Sequence, residues 1–297
     1  MGSSDRESLE TSVVVVSHNE GENLLRTVHS LLDALPPASE IIVVDDTSTD
    51  GSIEALPVDR IRVVRPETRL GISAARNLGA SVSRGEILIF SDAHVDVRPG
   101  FLEPLRSTLN RPGVGAVGPI VSTRGAEDQK GCGFRWRDAG LNIEWLSGQG
   151  RGTTPYPVPM LVGCFMAVRR DAFIDVGGFD ADMIVYGYED AELSMRLWVL
   201  GYQCLLVPEV DVTHLFRSAH PYAVNWAATL HNLLRVAVVH FSAERYRRVV
   251  ACLKGQDALP TALSLLLDGN AYERRREIKV RRKHDDEWYF REFHMHW

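Results

Sequence analysis

The chain of 297 residues has few cysteines, no long apolar run and no large excess of one charge. Its four cysteines, Cys132, Cys164, Cys204 and Cys252, are far apart and form no C-x-x-C pair. This spacing excludes a dense disulfide framework and the common cysteine metal motifs. We therefore expect reduced thiols that are buried as small hydrophobic side chains, in a cytoplasmic protein.

The net charge of −6 excludes a global basic field of the kind that binds nucleic acid. The first ten residues are polar, so we expect neither a signal peptide nor a membrane anchor at that end. The longest helix-like apolar stretch, residues 222–241, contains His231, Asn232 and Arg235 and is too polar to span a bilayer. These features favour a soluble protein.

The chain shows the pattern of an α/β fold. Strand-like and helix-like segments alternate at residues 12–17, 23–35, 40–44, 61–64, 72–83 and 87–92. Such alternation predicts a mostly parallel central sheet that is covered by helices. Residues 122–159 are then rich in glycine and irregular, which is typical of a binding loop or lid. A strand at 160–168, a helix at 190–200 and further helices from Tyr222 onward complete the prediction.

An aspartate and a histidine stand two residues apart at the end of one apolar strand. The segment 87–96 ends its apolar run with Asp92-Ala93-His94. Because alternate strand residues point to the same face, both side chains should project from the carboxyl end of the strand, where open parallel sheets bind ligands. A carboxylate and an imidazole suit a divalent cation such as Mn²⁺, although an isolated D-x-H is also compatible with a polar surface turn.

Two pairs of adjacent acidic residues stand at the ends of predicted elements. Asp45 and Asp46 end the second strand, where carboxylates can accept hydrogen bonds from a nucleoside. Glu189 and Asp190 begin a helix, where acidic residues stabilise the helix dipole. One of this second pair could instead deprotonate an acceptor hydroxyl.

A fourth cluster lies between residues 213 and 222. It contains His214, Arg217, His220 and Tyr222. The planar guanidinium and the phenol hydroxyl together indicate an anionic ligand such as a phosphate. With the other three clusters, this gives nucleotide-contacting acids, a metal site, a candidate base and a phosphate clamp.

From about residue 13 to residue 222 the chain resembles family-2-type glycosyltransferases of the GT-A fold. Among these it is most similar to the catalytic domain of the polypeptide N-acetylgalactosaminyltransferases. The order and spacing of the matching segments together make the resemblance specific. The matching segments are His18-Asn19-Glu20, 24–28, 40–46, Arg69-Leu70-Gly71, Ala75-Arg76, Gly85-Glu86, Asp92-Ala93-His94, Gly177-Gly178-Phe179, Gly187-Tyr188-Glu189, His214-Leu215-Phe216-Arg217 and His220-Pro221-Tyr222.

The resemblance implies a UDP-sugar donor and a bound Mn²⁺ or Mg²⁺ that bridges the diphosphate. It implies that Asp92, His94 and His214 hold the metal. It also implies the remaining donor contacts: Asp46 (beside Asp45) near the uracil, Arg76 near the donor, and Arg217, His220 and Tyr222 on a loop that closes over it.

Two departures from that family affect the expected chemistry. Asp190 stands where the retaining polypeptide transferases have Asn after Glu, and an Asp there resembles the base of inverting GT-A enzymes. A single inverting displacement needs a carboxylate on the acceptor side, so we expect Asp190, beside Glu189, to be the base. The run Val185-Tyr186-Gly187-Tyr188 replaces a Trp-Gly-Gly run, so the identities of sugar and acceptor stay open.

The expected organisation is a polar tail at 1–10, a GT-A domain at 11–221 and a helical extension at 222–297. Within the domain, residues 11–122 would bind the nucleotide sugar and residues 123–221 would face the acceptor. The expected activity is the metal-dependent transfer of a sugar from a UDP-sugar to a soluble acceptor, and we expect the sugar to be an N-acetylhexosamine. The acceptor would be a small metabolite, a carrier-bound intermediate or a peptide. The alternatives are a retaining polypeptide-type transferase, a non-catalytic nucleotide-sugar-binding protein and a metallohydrolase.

Overall fold

The computed structural model describes residues 10–57, 60–148, 152–217 and 225–297. Within these ranges a ten-stranded mixed sheet is flanked by helices, and a two-stranded hairpin stands apart from it. The elements are β1 Thr11–Ser17, α1 Glu22–Ala34, β2 Ser39–Asp45, β3 Ile61–Val64, α2 Ile72–Val82, β4 Ile87–Asp92, β5 Val95–Asp96, α3 Leu102–Leu109, β6 Val114–Thr123, β7 Ala126–Gly131, β8 Phe134–Trp136, β9 Ile143–Trp145, β10 Tyr156–Pro157, β11 Phe165–Arg169, α4 Arg170–Asp175, α5 Glu189–Leu200, β12 Gln203–His214, α6 Trp226–His240, α7 Ala243–Leu253, α8 Leu259–Asp268, α9 Ala271–Arg281 and α10 Asp286–Glu292.

The sheet runs in the order β10-β12-β6-β11-β4-β1-β2-β3. Strands β3, β2, β1 and β4 are parallel, and their core members β1, β2 and β4 are almost wholly buried, as expected for a sheet covered on both faces. β11 runs antiparallel between β4 and β6, which makes the sheet mixed, and β12 is parallel to β6. The predicted α/β class with C-terminal helices is confirmed.

Alternate residues of the central strands face two separate cores. On β1, Val13 and Val15 pack with Leu24 and Val28 of α1, whereas Val14 packs with the core that contains α2 and α5. This period of two follows from the pleat of a strand. The two cores hold the carboxyl ends of β1, β2 and β4 at one edge of the sheet.

The segment 122–159 contains more regular structure than its sequence indicated. Within its described residues, β7 pairs with β6, β8 pairs with β9 and β10 pairs with β12. These strands have two to six residues, and most are too short to show a hydrophobic period. The expectation of an irregular segment was therefore wrong in detail.

Helices α6 to α10 share one core with the sheet and α5. The buried Trp136 ring lies 5.4 Å from Phe241 after α6 and 6.0 Å from Phe290 of α10, centroid to centroid. In the described part of the chain no helix is long and apolar enough to cross a membrane. Three cysteines are buried as expected, but Cys252 is exposed because it lies on the outer face of α7.

Gly79 sets how closely α2 approaches the sheet. A Cβ at this position would lie 2.3 Å from Val14 Cγ1 and 3.0 Å from Val44 Cγ2. We expect Gly79→Ala to overpack this contact and lower the free energy of unfolding by about 1–3 kcal/mol. Urea denaturation measures the change, with Ser81→Ala on the exposed face of the same helix as control. Equal stability of the two variants would contradict this view of α2 packing.

Candidate active site

A pocket of about 540 Å³ opens at the carboxyl edge of the sheet. Its wall combines residues after β1, β2 and β4 with the start of α5, the end of β12 and the β8–β9 hairpin. Open α/β sheets bind ligands at this edge, because loops from several strands converge there. Each of the four sequence clusters contributes described residues to this pocket.

Asp92, His94 and His214 come together in the pocket. One potential ligand atom from each lies within 4.8 Å of the other two. Asp92 ends β4, and the short strand β5 then pairs antiparallel with the end of β12, where Val95 lies opposite His214. The backbone N–H of Leu215 also donates to the His94 carbonyl at 3.1 Å. This pairing places a residue 120 positions further along the chain beside the D-x-H segment.

The chemistry of these three side chains fits a divalent cation. Among the described residues, Nδ1 of His214 is buried without a hydrogen-bond partner, while its Nε2 lies 3.5 Å from Asp92 Oδ2 and His94 Nδ1 lies 3.2 Å from Glu20 Oε2. Such groups are costly to bury unless something satisfies them. Burial alone would raise the pKa of Asp92, but His214 and the positive charge of Arg76 outweigh it and hold that pKa well below its usual range. An ionised carboxylate and two imidazoles form a donor set that suits Mn²⁺.

Arg76 is a buried cation beneath the site. Its guanidinium donates to Asp92 Oδ1 at 3.0 Å, Glu189 Oε1 at 3.2 Å and the Gly163 carbonyl at 2.7 Å. Only 1% of the residue is exposed, so these interactions are weakly screened by water. The arginine that the resemblance places near the donor thus links Asp92, at the end of β4, to the first turn of α5.

Glu189 and Asp190 open α5 at the pocket. Glu189 Oε2 accepts from the Gly187 N–H at 3.0 Å. Asp190 accepts from the Gly163 N–H at 2.9 Å and from the Ala191 N–H at 2.8 Å. Burial, together with the neighbouring Asp190 charge, raises the pKa of Glu189 to about 7, and burial also raises the pKa of Asp190.

The two acids at the end of β2 have different surroundings. Asp46 lines the pocket and accepts from the Leu70 N–H at 2.6 Å and the Gly71 N–H at 3.0 Å. Asp45 does not line the pocket, and its carboxylate binds Arg65 and the Ser48 N–H. Of the predicted pair, the structure therefore brings only Asp46 to the site, because neighbouring strand residues point to opposite faces.

Arg217 lines the pocket beside Glu20, a residue to which the sequence analysis assigned no role. Arg217 forms a bidentate ion pair with Glu20, whose Oε2 also lies 3.2 Å from His94 Nδ1. Glu20 follows β1 at the same carboxyl edge of the sheet as Asp92. Its position after a predicted strand is the sequence feature that could have indicated a role in the site. His220 and Tyr222 lie outside the described residues.

Exposed aromatic side chains form the outer wall of the pocket. Trp145 of β9 and Phe216 after β12 meet edge to face with ring centroids 5.8 Å apart. Each is more than 40% exposed, as is Tyr186 on the opposite loop. Large apolar groups left at a pocket mouth commonly mark a contact surface for a ligand. Trp145 lies in the segment where we expected acceptor recognition.

The family comparison agrees with the fold and the position of the pocket. The model of glycosyl transferase family 2 matches residues 12–177, more than half of the chain. A second model, described as the N-terminal domain of galactosyltransferase, matches residues 151–221. The chain therefore belongs to glycosyl transferase family 2.

Similar proteins carry related names. Polypeptide N-acetylgalactosaminyltransferase 13 of Rattus norvegicus is 33% identical over 71% of this chain and 42% of its own length. A probable N-acetylgalactosaminyltransferase 6 of Caenorhabditis elegans is 34% identical over 77% and 42%. The chain thus spans less than half the length of these relatives.

Solved structures show the same fold. GalNAc-T7 with UDP, GalNAc and Mn²⁺ matches with a TM-score of 0.80 and 27% identity, over 98% of this chain and 57% of that one. The mannosyltransferase PcManGT from Pyrobaculum calidifontis matches with a TM-score of 0.56 and 18% identity, over 96% and 83%. The second likeness concerns the fold alone.

The raised pKa of Glu189 predicts a pH-dependent stability in metal-free protein. A carboxyl group with a folded pKa of about 7 and an ordinary value of 4.5 stabilises the fold most below pH 4.5. Its contribution is lost as the pH rises to about 7, by up to about 3 kcal/mol. We expect Glu189→Gln to lack this loss, as measured by urea denaturation between pH 4.5 and 7.5. The control is Glu86→Gln at an exposed site, and identical pH profiles for wild type and Glu189→Gln would contradict the assignment.

Proposed function

We propose that this protein is a metal-dependent glycosyltransferase that uses a UDP-sugar donor. The observation that carries the proposal is the juxtaposition of Asp92, His94 and His214 in a pocket at the carboxyl edge of a family-2 fold. The GalNAc-T7 structure, which contains UDP, GalNAc and Mn²⁺, supports the choice of donor and metal. UDP-N-acetylhexosamine is therefore the first donor to test.

A bound divalent metal would act as a Lewis acid that offsets the charge developing on the diphosphate when the glycosidic bond breaks. Asp92, His94 and His214 would hold it. Asp46 would lie near the uracil, where its oxygens are already oriented by two backbone N–H groups. Arg217 would contact the diphosphate together with His220 and Tyr222, which requires the guanidinium to share or leave its pairing with Glu20.

For the chemical step we propose direct displacement with inversion. An acceptor hydroxyl forms a bond to the anomeric carbon, the bond to UDP breaks, and the hydroxyl proton passes to the Asp190 carboxylate. Asp190 lines the pocket, and its raised pKa brings it closer to the operating pH, where a general base is most effective. Its two backbone hydrogen bonds fix the direction of the carboxylate.

A second candidate is a retaining transferase of the polypeptide type. It is favoured by the names of the relatives, which are N-acetylgalactosaminyltransferases, most of them polypeptide transferases. A protein that binds nucleotide sugars without turnover is less well supported, because the three potential metal ligands remain together. A metallohydrolase would leave Asp46 and the Arg217 pair without a role.

The acceptor would contact the aromatic wall formed by Trp145, Phe216 and Tyr186. This wall fits a peptide, a small metabolite or a carrier-bound intermediate that presents apolar groups beside its hydroxyl. The names of the relatives make a peptide the first of these to test.

Loss of a metal ligand should weaken the binding of UDP. We expect UDP to bind the wild type more tightly with Mn²⁺ than without it, as measured by isothermal titration calorimetry. His214→Ala should lower the Mn²⁺-dependent affinity by at least about 10–100-fold, the range seen when groups that support a metal are removed. His29→Ala, at an exposed position on α1, is the control. Unchanged binding by His214→Ala would remove His214 from the metal site.

Replacement of the proposed base should separate binding from chemistry. We expect Asp190→Asn to lower kcat by about 10²–10⁴, the usual contribution of general-base catalysis, with UDP affinity preserved. Asp268→Asn, on the exposed end of α8, should keep the wild-type rate. NMR of the product gives the anomeric configuration, and we expect inversion.

A retained configuration, together with an active Asp190→Asn enzyme, would contradict the inverting mechanism. It would favour the polypeptide-type alternative and leave the donor and metal assignments standing.

A further inference from the structure

We propose that Asn232, on α6, is a positioning residue that fixes the loop leading into the Glu189-Asp190 pair. This inference rests on the proposed function for its catalytic consequence. It assigns to α6, outside the pocket's donor half, the task of placing the proposed base.

Both the oxygen and the nitrogen of the Asn232 side-chain amide form hydrogen bonds with the backbone of this loop. Its Oδ1 accepts from the Ile184 N–H at 2.8 Å, and its Nδ2 lies 2.9 Å from the Ile184 carbonyl, 3.0 Å from the Gly187 carbonyl and 3.3 Å from the Tyr186 carbonyl. The residue is fully buried. A buried amide with this many partners is costly to disrupt, because the groups left behind cannot reach water.

The loop needs external support because its backbone is strained. Val185 has a φ of 56° and Tyr188 has a φ of 70°. Both values lie in the left-handed region, which residues other than glycine rarely adopt. Gly187 between them has φ of 103°. At Val185 and Tyr188 such conformations are costly and persist only where surrounding contacts determine them, whereas a glycine adopts a positive φ readily. All four Asn232 contacts with the loop fall within or next to this run, two of them inside it at Tyr186 and Gly187.

The opposite side of the loop is held by the donor half of the fold. The Val185 carbonyl accepts from the Ile72 N–H at 2.9 Å. A Cβ at Gly71 would lie 2.8 Å from the Val185 Cα, so the two backbones are in direct contact. The loop is therefore held between Asn232 on one side and, on the other, the start of α2, the helix that carries Arg76.

The path from Asn232 to the site is short and continuous. The carbonyl of Gly187 accepts from Asn232, while its N–H donates to Glu189 Oε2. The other Glu189 oxygen accepts from Arg76, which also binds Asp92. A shift of the loop at Gly187 would thus move the Glu189 carboxylate and the first turn of α5.

A second residue of α6 supports the same segment at its beginning. Arg235, one turn after Asn232, forms a bidentate ion pair with Asp180 at 2.8 and 2.9 Å and a further contact with Asp182 at 3.1 Å. Both Arg235 and Asp180 are buried. One face of α6 thus holds the loop at residues 180–182 and again at 184–187.

The test uses Asn232→Asp. This variant keeps the size of the side chain and the oxygen that accepts from the Ile184 N–H, but it removes the amide group that donates to the carbonyls of Ile184, Tyr186 and Gly187. Asn232→Ala serves as the second variant if the aspartate form does not fold. We expect faster hydrogen–deuterium exchange in the peptide that covers residues 180–190. We also expect kcat to fall by about 100-fold, the effect of misplacing a catalytic group by about 1 Å, with an unchanged dissociation constant for UDP.

Arg275→Met is the matched control. Arg275 donates to the Phe241 carbonyl at 2.7 Å and to the Val238 carbonyl, so its loss weakens the far end of α6 without touching the loop. We expect this variant to lose thermal stability but to keep kcat and the slow exchange of residues 180–190. An equal loss of kcat in Arg275→Met, or unchanged exchange and kcat in both Asn232 variants, would overturn the proposal.

The exchange measurement separates this proposal from the proposed function. A wild-type protein without turnover of any UDP-sugar would contradict the function and the catalytic consequence together. Exchange at residues 180–190 would still decide whether Asn232 holds the loop.

Discussion

The arrangement of the site depends on one buried cation, the guanidinium of Arg76. It is the counter-charge for two carboxylates on different elements, Asp92 at the end of β4 and Glu189 at the start of α5. Carboxylates brought this close would repel one another without it, and breaking a buried ion pair such as that of Arg76 with Glu189 typically costs about 3–5 kcal/mol. The close approach of α2 to the sheet at Gly79 places this arginine between them. The side of the pocket that holds Asp92 and the side that holds the proposed base are thus joined by charge as well as by packing.

Two further devices complete the pocket with residues that are distant in the sequence. The pairing of β5 with β12 brings His214 to the D-x-H segment, and the side chain of Asn232 brings α6 to the loop before Glu189. In both cases hydrogen bonds to the backbone fix the position of a segment, and that segment places a side chain of the site: His214 in the first case and Glu189 in the second. The result is a cluster of potential metal ligands on one wall and an adjacent acid pair on another, with exposed aromatic side chains at the pocket mouth.

The sequence predicted those parts of the structure that follow from local periodicity. The alternation of strands and helices and the shared face of Asp92 and His94 are local properties, and β3 begins and ends at the predicted residues. Long-range pairing is not local, so His214 could be joined to the site only through the resemblance to a family. The strand expected at 160–168 begins at Phe165, because Val162 to Cys164 form a turn closed by the Phe165 N–H. Asn232 was noted in the sequence only as a polar residue that argues against a membrane span.

The central claim is that Asp92, His94 and His214 hold a cation that contacts the diphosphate of a UDP-sugar. The most direct measurement is anomalous X-ray scattering from crystals grown with Mn²⁺ and UDP. The account predicts a single strong manganese peak between these three side chains, adjacent to the diphosphate. A peak elsewhere in the molecule, or UDP bound in the pocket with no manganese beside these residues, would contradict it.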